Sequence, residues 1–182
     1  MSSPSTRRGR VERIGFTLIE LMIVVAIVGV LAVLAVLGYR KHVLTTKLAE
    51  AHNMIGAIRI AQEGHKAESG VYANIGPSFC PSTGLVTPAI KTGWNPACSG
   101  GTATWALLPV QPDGPVQFGY ATVAPPATLP SIGWVDMSGA DTSGAWYVIR
   151  AQADLDESGG GANTELVGTS FEGTIFSHNE GQ

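Results

Sequence analysis

The feature that most constrains this chain is an apolar run near its N-terminus, FTLIELMIVVAIVGVLAVLAVL at residues 16–37. As a helix rising 1.5 Å per residue it spans roughly 33 Å, about the thickness of a bilayer's hydrocarbon core. Ahead of it stand Arg7, Arg8, Arg10 and Arg13, with Glu12 the only acid among them. Such a cluster keeps its end of the chain on the cytoplasmic side. A secretory signal peptide has a shorter apolar region and ends at a small-residue cleavage site, and LAVLGYRKHV is a poor one. A plain signal anchor explains the length and the arginines. It does not explain Glu20, a carboxylate near Thr17 inside the run, because an ionisable group in lipid is costly and is usually retained for a task.

The segment Arg13-Ile14-Gly15-Phe16-Thr17-Leu18-Ile19-Glu20, followed by LMIVVAIVGVLAVLA, resembles the N-terminal signal of type IV pilins. The close match covers residues 15–35, and a looser one continues to about residue 70. The resemblance implies that a membrane prepilin peptidase cuts between Gly15 and Phe16 and that the new Phe16 amine is N-methylated. It also implies that Glu20 serves assembly, pairing with the Phe16 amine of a neighbouring subunit. Two charges that are each costly in an apolar core are tolerated as a pair, and the pair sets register. Gly15 suits a protease cleft, since it brings no side chain to obstruct the backbone.

One position departs from the family pattern. Pilins usually carry a helix-interior proline near the end of the apolar run, and here Leu37 stands there, followed by Gly38. Glycine weakens a helix by about 1 kcal/mol relative to alanine but keeps its amide donor. A straighter helix follows, with any melting on assembly around Gly38 less pronounced.

Beyond Tyr39 the apolar period becomes amphipathic: Leu44, Leu48, Ala51, Ile55 and Ile58 recur at alternating spacings of four and three. This is one stripe of a helix that packs on another layer. Lys47, Glu50, Asn53, Arg59, Gln62 and Glu63 fall largely off it. One helix therefore runs from residue 16 to about residue 64 or 69, where Gly64 or Ser69-Gly70 stops it. His42, His52 and His65 lie too far apart to form a ligand pair and read as solvated surface residues.

The rest of the chain is rich in glycine and proline, and short strands with long loops follow. Strands are expected at residues 104–108 and 116–123, joined as a hairpin through Pro112-Asp113-Gly114, at residues 145–151, and within 164–176. Residues 71–103 read as a long connection, and in pilins that segment is exposed and often makes subunit contacts. The expected class is α+β: a long N-terminal helix on three or four antiparallel strands. The divisions are a basic leader at 1–15, an apolar helix half at 16–38, an amphipathic half at 39–69 and a β head at 70–182.

Cys80 and Cys98 suit one disulfide in an oxidising compartment, and two free thiols are the alternative. Asp154, Asp156, Ser158, Gly159 and Glu165 fit the oxygen spacing of an EF-hand loop, which would make calcium a structural cofactor. The glycines at 159–161 and the lack of flanking helices fit a solvated turn instead.

Eleven basic and fourteen acidic side chains give −3, and beyond Ser69 only Lys91 and Arg150 are basic. Without residues 1–15 the balance is seven basic to thirteen acidic, or −6. General nucleic-acid binding needs a basic face, which this chain does not offer. No phosphate loop and no motif-supported Ser, Cys and His arrangement appears, so the chain reads as non-enzymatic. The resemblance implies a precursor in the inner membrane, N-terminus cytoplasmic, and then an extracellular pilus filament for motility or adhesion. Its partners would be copies of itself, the prepilin peptidase and the inner-membrane assembly machinery. A type II secretion pseudopilin and a low-abundance minor pilin are the alternatives.

Overall fold

The structure, a computed structural model, describes residues 15–81, 90–155 and 163–180. A single helix, α1, occupies Leu18–Ser69 and is uninterrupted at Leu37 and Gly38. The chain divides into two units, one ending at Lys41 and the other beginning at His42.

In the first unit α1 has a stretch with a mean hydropathy of 3.1 and no buried residue, long and apolar enough to cross a membrane. Leu21, Ile23, Val25, Ile27, Val30 and Leu34 are all exposed. Apolar side chains on every face are the pattern of a helix that meets lipid or other helices rather than water.

In the second unit the amphipathic stripe is the buried face of α1. Ala51, Ile55 and Ile58 are fully buried, joined by Met54 and Ala61, while Leu44 and Leu48 pack at the edge. Gln62 also lies on this face, against the expectation that it falls off the stripe. Its amide donates to the Ala73 carbonyl at 2.9 Å and to the Thr122 hydroxyl at 3.0 Å, and its oxygen accepts from the Ala73 N–H. Hydrogen bonds to these partners offset the cost of taking the amide out of water. The helix ends where Gly70 takes a φ of +81°, and its N–H closes on the Lys66 carbonyl at 2.8 Å. A left-handed residue after the last turn is the common helix stop, and glycine adopts it without strain.

Five strands follow, β1 (Gly76–Cys80), β2 (Gly119–Val123), β3 (Val148–Ala153), β4 (Thr164–Thr169) and β5 (Ile175–His178). They form one antiparallel sheet in chain order. The architecture is α+β, with one strand more than the three or four expected. Four assignments change. Residues 104–108 form no strand: Trp105–Leu107 is a 3-10 turn, closed by the Leu108 N–H on the Trp105 carbonyl at 3.0 Å. The hairpin expected there does not form, because β2 pairs instead with β1 and β3. The long connection of residues 71–103 contains β1, whose sequence GPSFC carries little strand character. The stretch 164–176 is two strands, split at a turn that Arg59 of α1 binds. Its guanidinium donates to the carbonyls of Glu172 (3.2 Å), Gly173 (2.6 Å) and Thr174 (3.1 Å).

The sheet is covered on both faces. Tyr120, Ile149, Ala151 and Leu166 face α1 in the main core, together with Phe118 and Trp105. The alternate residues Val123, Val148 and Val167 meet Ile132, Val135 and Trp146, which the Pro- and Gly-rich segment between β2 and β3 folds over the other face. Period-two alternation along the strands supplies both faces.

Candidate functional site

Gly15, Phe16 and Thr17 lie ahead of α1 in non-helical backbone, and the Phe16 side chain is 84% exposed. Among the described residues, a Cβ at Gly15 would meet nothing within 4 Å. Glu20 lies in the first turn of α1 and its carboxylate folds back to Thr17. The Thr17 N–H donates to Oε2 at 2.9 Å and the Thr17 hydroxyl donates to the same oxygen at 2.7 Å. The Glu20 N–H donates in return to Thr17 Oγ1 at 3.3 Å. A threonine and a glutamate three residues apart, each closing on the other's backbone N–H, form a capping box. In the sequence Thr17 stood only as the neighbour of Glu20, although the Thr-x-x-Glu pattern of a capping box was there to be read.

The other candidate residues lie in the second unit. Cys80 at the end of β1 and Cys98 are joined by a disulfide, with Cα atoms 6.0 Å apart. The bridge ties down the chain that runs beside β1, where the Ser78 N–H donates to the Gly100 carbonyl at 2.8 Å. The contact at Gly76 is close: with a φ of +122°, a Cβ there would stand 2.2 Å from the Gly100 oxygen. Only glycine fits such an approach.

Of the four candidate calcium ligands, Asp156 and Ser158 lie outside the described residues, as do Arg7, Arg8, Arg10 and Arg13 of the leader. Asp154 is buried just after β3. Glu165 sits on β4 opposite Gln152 with both oxygens engaged. Oε1 accepts from Arg150 Nε at 2.6 Å, and Oε2 accepts from Trp134 Nε1 at 2.9 Å. A cation at Glu165 would have to share that carboxylate with a guanidinium beside it. Among the described residues no group of three or more His, Cys, Asp or Glu is placed to hold a metal ion. His42 and His52 are exposed and His65 is half-buried.

A groove of about 570 Å³ beside α1 is lined in part by Glu50, Asn53, Met54, Lys91 and Asp113. Glu50 pairs with Lys91 at 3.3 Å and accepts the Gln117 N–H at 2.5 Å. Its carboxylate thus ties Lys91 and Gln117 to the helix.

The family model for the prokaryotic N-terminal methylation motif matches residues 13–36, which take in Gly15, Phe16, Thr17 and Glu20. No curated protein and no solved structure matches the chain. The matched motif supports a type IV pilin-like or pseudopilin protein. It marks a structural, pilin-like class, and it implies processing by a prepilin peptidase. With an apolar helix able to span a bilayer directly behind it, the motif also fits a precursor held in the inner membrane. The chain carries the prepilin-type signal of type IV pilins.

Proposed function

We propose that this chain is the structural subunit of a type IV pilus filament that serves surface motility or adhesion. The precursor sits in the inner membrane with residues 1–15 on the cytoplasmic side. A prepilin peptidase removes that leader between Gly15 and Phe16, the Phe16 amine is methylated, and the assembly machinery moves the subunit into an extracellular homopolymer. The observation that carries this reading is the methylation motif set on a helix whose apolar half is exposed on every face. Lipid covers that half before assembly, and the corresponding helices of other copies cover it afterwards. Transfer from one apolar surrounding to the other needs little free energy, so a charge pair between Glu20 and a neighbour's Phe16 amine can decide direction and register.

A pseudopilin of a type II secretion system is the second reading, favoured by the acidic spacing that begins at Asp154 if it takes up calcium. A low-abundance minor pilin is the third, and the presence of Glu20 counts against a place at the filament tip. Deletion of the gene separates them. Loss of sheared surface filaments made of this chain, seen by electron microscopy and identified by mass spectrometry, supports the pilus subunit. Intact filaments with loss of protein secretion would replace it with the pseudopilin.

A further inference from the structure

Glu20 is the one acid within the apolar half of α1, and every described hydrogen bond to its carboxylate comes from Thr17 and goes to Oε2. The Thr17 hydroxyl both donates to that oxygen and accepts the Glu20 N–H, so it is the hinge of the box. We infer that Thr17 is the positioning residue for Glu20: it holds Oε2 within the subunit's own chain and leaves Oε1 to meet the amine of a second copy. The inference rests on the reading of Glu20 as the assembly residue and adds what places its carboxylate.

Three consequences follow from the geometry. A carboxylate in apolar surroundings is costly unless its oxygens are hydrogen-bonded. Here two donors belong to the same chain, so Glu20 is partly satisfied in the membrane before another subunit arrives. Next, both donors survive leader removal, because the Thr17 N–H belongs to the Phe16–Thr17 peptide and not to the bond that is cut. Finally, the box starts the helix at Leu18 and leaves Gly15 and Phe16 outside it. The scissile bond stays in non-helical backbone, the form in which a protease cleft takes a peptide.

The test uses the full-length chain in the cell that makes it, with T17V, T17S and E20A compared with wild type. Leader removal is read by mass spectrometry and incorporation by the amount of chain in sheared filaments. T17V keeps the shape and loses the hydroxyl. It is expected to be cleaved but to enter filaments roughly fivefold less or worse, the factor typical of losing a threonine cap. T17S restores the hydroxyl and is expected to assemble as wild type does. In detergent micelles the Thr17 amide of the full-length chain should exchange its proton roughly fivefold faster in E20A, since its acceptor has gone. Wild-type incorporation of T17V alongside blocked E20A overturns the role of Thr17 and leaves the assembly role of Glu20 standing. Unchanged Thr17 exchange in E20A overturns the hydrogen bond itself. Wild-type assembly of E20A overturns the reading of Glu20 on which the inference rests.

Discussion

The two parts of α1 share their apolar residue types and place them in opposite surroundings. Ile23 and Ile27 are more than half exposed, whereas Ile55 and Ile58, thirty residues further along the same helix, are completely buried. The type of these apolar residues does not separate them. What separates them is whether the chain supplies its own partner. From His42 onward a charged or polar residue breaks the apolar pattern every few positions, and the remaining apolar stripe matches one sheet face. Before Lys41 the apolar residues cover the whole helix, wider than any single sheet could bury. The difference teaches that an apolar surface too wide for its own fold is designed for company from outside the chain.

The comparison breaks most sharply if one substitution is made in both parts. Ile58→Ala should destabilise the folded head by about 2–5 kcal/mol, the usual range for emptying a buried isoleucine site. Ile27→Ala should change it by less than about 0.5 kcal/mol, as an exposed position does. Urea unfolding of the full chain in detergent, followed by tryptophan fluorescence, reads both. Similar losses at the two positions would show that the apolar half of α1 is held by the head after all.

The next largest effect concerns the disulfide, which closes a loop of roughly 19 residues and in the chain-entropy model contributes roughly 3 kcal/mol. Reduction should lower the urea midpoint of the head accordingly while leaving the helical signal of residues before Lys41 unchanged. Circular dichroism at 222 nm, recorded beside the fluorescence, separates the two. Replacement of Arg59 by Met keeps the aliphatic packing and removes three hydrogen bonds to the turn between β4 and β5. A cost of about 2 kcal/mol is expected, in the range for hydrogen bonds to a charged group whose acceptors become partly exposed. Hydrogen exchange should then rise at residues 170–175 before it rises elsewhere in the sheet.

The smallest effect is expected from calcium. Because both Glu165 oxygens already accept hydrogen bonds from Arg150 and Trp134, millimolar calcium should leave the melting temperature of the head unchanged. A rise of several degrees, abolished in Asp154→Asn, would establish the cation loop and strengthen the pseudopilin reading.

How much of this was legible in the sequence depends on how far apart the interacting residues lie. The stripe of Ala51, Ile55 and Ile58 could be read because helical period is local. Gln62 could not, since its partners Ala73 and Thr122 come together with it only in the fold. The strand β1 escaped because Gly, Pro, Ser and Cys do not favour extended pairing. It exists through its neighbours, β2 on one side and the segment around Gly100 on the other. Trp105, Leu107 and Leu108 suggested a strand by type, yet the Trp105 N–H bonds to the Cys98 carbonyl at 3.1 Å, beside the disulfide, and the chain turns there instead. The second core, built on Ile132, Val135 and Trp146, was hidden among prolines and glycines that indicate loops without saying what the loops cover. At the N-terminus the opposite held: every group of the capping box lies within four consecutive residues. Such a local pattern is readable as Thr-x-x-Glu.

The central claim is that the exposed half of α1 is the part a filament buries, after the leader has been removed at Gly15. Mass spectrometry of the N-terminal peptide from sheared surface filaments tests it most directly. The account predicts a peptide that begins at an N-methylated Phe16 and contains Glu20. Filaments that contain this chain with residues 1–15 still attached, or with an unmethylated N-terminus elsewhere, would contradict it.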